Sequence, residues 1–156
     1  DIRETLEAEH VPANHLEVEL TEEIFIQNIE HNRNQLGRLH ELGVNLAIDD
    51  FGVGYSSLGY LRDFPVDLLK IDRSFITSVT ERHDDSVITR AVINLAHNLG
   101  IRVIAEGVET EEQLDFLRQH GCNLVQGYLI SWPIPAVELE KALEAGLLNL
   151  GTAEST

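Results

Sequence analysis

The chain has one cysteine, no methionine and few basic residues among its 156 residues. The single cysteine excludes an internal disulfide and is compatible with a reducing compartment. Lys and Arg number 11 against 27 Asp and Glu, and the resulting net charge of −16 disfavours binding to DNA or to an anionic membrane. The chain also lacks an apolar run of roughly 20 residues and a signal peptide. We therefore expect a cytoplasmic protein with no DNA partner and no membrane insertion by this segment.

The missing methionine leads us to expect that residue 1 is not a native start and that the chain is a fragment of a longer protein. Its length is that of one ordinary domain, large enough to bury a core. Hydrophobic residues make up 43% of the sequence, which fits a globular protein. We expect residues 1–147 to form one domain or part of one, followed by a flexible tail at 148–156.

One pattern recurs along the chain: a helical segment, a glycine, a short apolar strand and then a polar or acidic residue. It appears at Gly43, Gly100 and Gly121, and strands separated by helices indicate parallel β-α units. Predicted strands are 16–20, 44–50, 67–72, 101–108 and 123–130, and predicted helices are 21–42, 84–99, 110–121 and 137–147. Five strands do not close a barrel of eight, so the sequence predicts most of a barrel without its first portion.

Polar side chains follow each predicted strand, at the edge that carries the site in parallel α/β proteins. They are Glu19 and Glu22, Asp49 and Asp50, Lys70 and Asp72, Glu106 and Glu109, and Gln126. Adjacent carboxylates repel and are costly to bury, and divalent cations with a preference for oxygen ligands are the usual compensation. This inventory suits a two-metal site that hydrolyses a phosphate ester. Lys70 and Asp72, two positions apart in a strand, would point to one face.

Structural roles are the alternative for several of these residues. Asp50 could cap the loop that follows it, and Lys70 could pair with Asp72 or Glu17. Glu22 could stabilise a helix start or hold a loop rather than bind a metal. Asp72 and Glu109 could likewise support the site without contacting a metal, or be purely structural.

Five blocks of the sequence, in matching order and spacing, closely resemble one family. They are ELTE at 19–22, DDFGVGYSSL at 49–58, LKIDRSF at 69–75, AEGVET at 105–110 and QGYL at 126–129. The blocks resemble the EAL-domain family, the cyclic di-GMP phosphodiesterases of bacterial signalling, and the likeness covers about residues 1 to 147. The resemblance implies a TIM-like (β/α)8 barrel, of which this chain covers about the last five β-α units.

The resemblance also implies roles for individual residues. Glu19 and Asp49 would bind one Mg²⁺ or Mn²⁺, while Asp50 and Glu106 would bind a second. Lys70 would hold the attacking water, so Lys70 and Glu106 are the candidate catalytic residues. Gln126 and Asp72 would line the nucleotide site. A loop and its supports would be formed by Glu22, Phe51, Gly52, Ser56, Ser57 and Glu109.

The chain departs from the family pattern in four places. The Glu-Ala-Leu motif of the first strand and an Asn of the first metal site are absent, and both would lie upstream of Asp1. Within the matched region, Val53 replaces a common Thr and Trp132 stands where Arg is frequent. We therefore expect the parent domain to hydrolyse cyclic di-GMP and the isolated fragment to be weak or inactive.

Two other hypotheses stay open at this point. The chain could belong to a receptor or dimerisation module that binds cyclic di-GMP, or only a partner, without cleaving it. It could also be complete, a partial barrel whose open sheet edges need a second chain. The resemblance is compatible with a homodimer and with an upstream sensory or cyclase-like domain.

Overall fold

The computed structural model describes residues 1–22, 24, 29–53, 61–62 and 64–146, apart from the side chains of residues 29–32. Five strands alternate with helices along most of this range. The strands are β1 Glu17–Thr21, β2 Asn45–Phe51, β3 Leu68–Ile71, β4 Arg102–Glu106 and β5 Leu124–Gln126. The helices are α1 Ile2–Ala8, α2 Ile29–Glu41, α3 Arg73–Thr77, α4 His83–Asn98, α5 Glu111–Gln119 and α6 Ala136–Glu144, with a 3₁₀ turn at Ala13–His15.

The strands form one parallel sheet in the order β1-β2-β3-β4-β5. Each strand therefore pairs with the next one along the chain, and all five carboxyl ends lie at the same edge. The register aligns Glu19 with Ala47, and Lys70 with Ile104. At the far side of the sheet, Glu106 aligns with Gln126. The topology thus confirms the expected series of parallel β-α units.

The centre of the sheet lies in the hydrophobic core. All four residues of β3 are buried, and Val103 and Ala105 of β4 are fully covered. Helix α4 contributes Ile93 and Ala96, both with no exposed surface, because its apolar positions recur with the helical period. Burial on both faces explains why these strands read as continuous apolar runs rather than as alternating patterns.

The glycines of the repeated pattern mark the turns from helix to strand. Gly43 follows α2 with φ 91°, and Gly100 follows α4 with φ 74°. Both lie in the left-handed region that glycine adopts without the steric cost of a Cβ. The chain can therefore leave each helix and enter the next strand within one or two residues.

Three of the predicted strands extend beyond the observed ends, while β1 and β2 each end one residue later than predicted. Strand β3 ends at Ile71, so Asp72 does not share a strand face with Lys70. Asp72 instead caps α3, because its side chain accepts a hydrogen bond from the Ser74 backbone N–H at 3.0 Å. Strand β4 ends at Glu106 rather than at 108. Strand β5 ends at Gln126 rather than at 130, because the following backbone turns and Ile130 N donates to Gly127 O.

Helices α1 and α3 were not predicted. Each is short, seven and five residues respectively, so neither shows a hydrophobic period that a sequence reading detects. Parts of other predictions lie outside the described residues: Ser56 and Ser57 of the loop, part of the helix predicted at 21–42, and the tail at 148–156.

Within the described part of the chain, no helix is long and apolar enough to cross a membrane. Strands β1 and β5 are the two edges of the sheet there. Large apolar side chains near β5 are exposed, among them Tyr128, Ile130 and Val137. Trp132 stacks on Tyr128 with ring centroids 3.9 Å apart, so it packs against a neighbouring aromatic ring.

Candidate active site

A buried lysine lies among three carboxylates at the carboxyl-terminal part of the sheet. Lys70 Nζ is 2.8 Å from Glu19 Oε2, 3.0 Å from Asp49 Oδ1 and 2.9 Å from Glu106 Oε1. These four residues come from four consecutive strands, β1 to β4. The parallel register brings them to one point, although Glu19 and Lys70 are 51 positions apart in the sequence. The alternative pairing of Lys70 with Asp72 or Glu17 is not what the structure shows.

The electrostatic environment keeps Lys70 protonated. Burial by itself lowers the pKa of this ammonium group, but its close contacts with Glu19, Glu106 and Asp49 outweigh burial and raise the pKa above its usual value. Only 9% of the Lys70 side chain is exposed. Lys70 is therefore a fixed cation and hydrogen-bond donor, and it does not accept a proton at neutral pH.

The donor set fits an oxygen-preferring divalent cation. Asp49 Oδ1 is buried and, within the described residues, accepts no hydrogen bond of regular geometry, even though Lys70 Nζ lies 3.0 Å away. Carboxylates are the oxygens that Mg²⁺ and Mn²⁺ favour, so Asp49 is a candidate ligand by its chemistry. In the described residues, no group of three or more His, Cys, Asp or Glu side chains is spaced as a metal site in this structure. The Lys70 ammonium lies between the carboxylates of Glu19, Asp49 and Glu106.

A bulge in β2 separates the two adjacent aspartates. The pairing of β2 with β3 shifts between Ile48 and Phe51, and Asp50 has φ 52°, in the left-handed region. In a regular strand, neighbouring side chains point to opposite faces, and a bulge re-aims one of them. Asp49 contacts Lys70, whereas Asp50 lines an adjoining cavity. Asp50 is exposed, yet slight desolvation raises the pKa of its carboxyl group, and the negative charges of Asp49 and Asp72 raise it further.

This cavity has a volume of about 500 Å³ and brings four further predicted site residues, Asp50, Asp72, Glu109 and Gln126, together with Glu106. Its lining consists of Asp50, Asp72, Arg73, Thr77, Glu106, Gly107, Glu109, Gln126, Gly127 and Tyr128. Glu106 belongs both to the cavity and to the Lys70 cluster, so the two features adjoin. Two further cavities beside α1 contain none of the predicted site residues.

Sequence reasoning missed Arg73, Thr77 and Tyr128. Arg73 directly follows Asp72, but it was not considered because the short helix α3 was not expected there. The signal that could have found it is Asp72 directly after an apolar strand, because Asp is a preferred residue at a helix N-cap.

The predicted loop support lies beside the cluster. The Gly52 backbone N–H donates to Glu22 Oε2 at 3.2 Å, and the Glu22 side chain is buried. Phe51 is buried in the core. Gly52 has φ 99°, and a Cβ there would lie 3.0 Å from the Phe75 ring. The start of the loop is therefore anchored to β1 through Glu22, while Ser56 and Ser57 lie outside the described residues.

The structure is thus that of an α/β protein with an acidic site at the carboxyl edge of a parallel sheet, where carboxylates from several strands surround a buried lysine beside a cavity. The chain belongs to the EAL domain family, whose model matches residues 1–133. Its five-stranded sheet is part of the TIM-barrel-like fold of EAL domain structures, as the resemblance implied.

A curated relative is the cyclic di-GMP phosphodiesterase NbdA of Pseudomonas aeruginosa, 50% identical over 145 residues. The match covers 93% of this chain and 18% of NbdA, so the chain spans less than a fifth of that relative's length. The structure of the PaMucR phosphodiesterase in complex with c-di-GMP is 41% identical, with a TM-score of 0.85 over 88% of this chain and 56% of that one. A manganese and cyclic di-GMP complex of Klebsiella pneumoniae BlrP1 is 36% identical to this chain, with a TM-score of 0.79. The match covers 85% of this chain and 34% of the BlrP1 chain.

Proposed function

We propose that the protein containing this chain hydrolyses one phosphodiester bond of cyclic di-GMP and releases the linear dinucleotide. The observation that carries the proposal is the Lys70 cluster with its three carboxylates, which adjoins a cavity of about 500 Å³. The likeness to NbdA and to the PaMucR complex supports the same substrate. We assign residues 1–147 to this domain, and 148–156 to a tail beyond it.

Four carboxylates would hold two divalent cations: Glu19 with Asp49, and Asp50 with Glu106. The cations would supply the activation of water and the neutralisation of developing negative charge. The BlrP1 complex with manganese supports a metal of this kind, and the carboxylate set accepts Mg²⁺ equally well.

The protein's own groups divide the remaining work. Lys70 Nζ, held by Glu19, Asp49 and Glu106, offers a donor that orients the attacking water and stabilises phosphoryl oxygens. Gln126 and Asp72 line the cavity and offer an amide and a carboxylate to the nucleotide. Glu22 fixes the backbone after Asp50 through Gly52, and Glu109 lies at the cavity rim.

A homodimer and an upstream sensory or cyclase-like domain are further parts of the proposal. The exposed apolar side chains near β5, such as Ile130 and Val137, offer surface for another protein segment. NbdA is much longer than the matched region, which supports the presence of additional domains in proteins of this kind.

The test is an assay of the full-length natural protein with cyclic di-GMP and either Mg²⁺ or Mn²⁺, followed by chromatography. We expect linear dinucleotide as product, loss of turnover in excess chelator and recovery when metal is restored. The 156-residue chain alone is expected to be weak or inactive. Binding of cyclic di-GMP by the natural protein without any cleavage would favour the receptor hypothesis instead.

Arg73 is expected to contribute to substrate affinity. It is the one basic residue lining the cavity among the described residues, and four carboxylates line the same space. A guanidinium group is well suited to phosphate oxygens. We expect R73Q to raise the KM for cyclic di-GMP by about three- to tenfold, about 0.7–1.4 kcal/mol, with little change in kcat.

R118Q is the matched control for this prediction. Arg118 is exposed on α5, does not line the cavity, and has Asp115 as its ion-pair partner at 3.6 Å. Steady-state kinetics of both variants decide the question: equal KM values for R73Q and R118Q would show that Arg73 does not contact the substrate.

A further inference from the structure

One buried amide side chain joins two walls of the cavity. Gln113, in the first turn of α5, is 5% exposed. Its Oε1 accepts hydrogen bonds from the backbone N–H groups of Glu109 at 2.7 Å and Thr110 at 3.1 Å. Its Nε2 donates to the Thr77 backbone carbonyl at 3.3 Å, across 36 positions of sequence. The same amide therefore bonds the β4–α5 loop and the carboxyl end of α3.

Both joined segments line the cavity. Helix α3 contributes Arg73 and Thr77, and the loop between β4 and α5 contributes Gly107 and Glu109. At one end the two walls are in direct contact, since a Cβ on Gly107 would lie 2.6 Å from Arg73 Cβ. At the other end, the hydrogen bonds of Gln113 set their separation.

An amide side chain can both accept and donate hydrogen bonds at this position, whereas a carboxylate can only accept them. Gln113 accepts from two loop N–H groups and donates to a helix carbonyl, so both of its polar atoms are paired. A glutamate could keep the two accepted bonds, because Glu and Gln both serve at this position of a capping box. It would, however, place a second acceptor against the Thr77 carbonyl, which would lose its donor.

We propose that Gln113 is a positioning residue that holds α3 and the β4–α5 loop at the spacing required for the cyclic dinucleotide. The inference rests on the proposed function, and it names a residue that does not itself line the cavity. Gln113 acts through Thr77 on one wall and through Glu109 on the other. Loss of the Gln113 amide is expected to weaken substrate binding more than it disturbs the geometry of the Lys70 cluster.

The test compares Q113E with T110A in the full-length natural protein. Thr110 Oγ1 caps α5 by accepting from the Gln113 N–H at 3.3 Å, so T110A weakens the helix start but leaves the Gln113 side chain in place. We expect Q113E to raise the KM for cyclic di-GMP about tenfold, about 1.4 kcal/mol, with a smaller change in kcat. T110A is expected to lower the unfolding temperature while leaving KM within about twofold of the wild-type value, about 0.4 kcal/mol.

Hydrogen–deuterium exchange supplies a readout that needs no substrate. Amide hydrogens of residues 73–79 are expected to exchange several-fold faster in Q113E than in the wild-type protein, and at the wild-type rate in T110A. Unchanged exchange at 73–79 in Q113E would overturn the inference, as would a KM that rises no more than in T110A. If the wild-type protein neither binds nor cleaves cyclic di-GMP, the proposed function fails, while the exchange result still decides whether Gln113 ties the two walls.

Discussion

K70M is expected to reduce kcat of the full-length natural protein at least about 100-fold, the scale on which a positioned electrostatic donor acts. Methionine preserves most of the length of the side chain but removes the ammonium group that three carboxylates contact within 3.0 Å. It removes the donor that we propose for the attacking water and the phosphoryl oxygens, together with the charge that offsets those of Glu19, Asp49 and Glu106. We also expect the metal-free protein to lose about 2 kcal/mol of stability, less than for a fully buried ion pair because Glu19 is partly exposed.

The chain offers a matched control, since Lys141 is its only other lysine. Lys141 is exposed in α6, so K141M removes the same charge away from the site. The measurements are kcat with cyclic di-GMP and chemical unfolding in the presence of a chelator. Activity of K70M within a few-fold of K141M would contradict the role assigned to the Lys70 cluster.

G127A is expected to have the largest effect on stability, about 3 kcal/mol or more, and to disturb Gln126 at the site. A Cβ on Gly127 would lie 2.1 Å from Val108 O and 2.3 Å from Val108 N. These are backbone atoms that cannot rotate away, so the turn after β5 must separate from the segment that follows β4. The hydrogen bond from Val108 N to Gln126 O at 3.1 Å would be stretched by the same movement.

G37A isolates this effect from the general consequence of replacing a glycine. Gly37 lies within α2, and a Cβ there would meet nothing within 4 Å. Alanine is the better helix former, so we expect G37A to stabilise the protein by about 0.5–1 kcal/mol. Chemical unfolding of both variants measures the change in the free energy of unfolding, which we expect to fall in G127A and to rise in G37A. A G127A protein as stable as the wild type would mean that the Val108 backbone is not packed against Gly127.

Much of the site could be predicted because strand ends are visible in the sequence. Short apolar runs before Asp49 and Glu106 marked the strands, and glycines such as Gly43 and Gly100 marked the preceding turns. In a parallel sheet, the carboxyl ends of all strands meet at one edge, so those acids were expected to converge. The structure brings Asp49 and Glu106 to within 3.0 Å of Lys70. Their roles as metal ligands stay predictions.

Other features could not be predicted because they depend on partners far away in the sequence or on very short elements. Helix α3 has only five residues, so the placement of Asp72 at its start could not be separated from a continuation of β3. The bulge at Asp50 arises from the pairing of β2 with β3, which no local pattern reports. In the sequence Gln113 is one polar residue among several in a helix, and only the fold places the Thr77 carbonyl beside its amide.

The sequence by itself determined the parallel β-α class, the family likeness and the acidic strand ends, because apolar periodicity, glycine turns and motif spacing are local properties of a chain. The tertiary structure decided which carboxylates Lys70 contacts, where Asp50 points and which walls Gln113 joins. Those outcomes depend on strand register and on packing between distant segments. The contact of Lys70 with Glu19 across 51 positions is decided in this way, since a shift of one residue in the pairing would turn one of these side chains to the other face of the sheet.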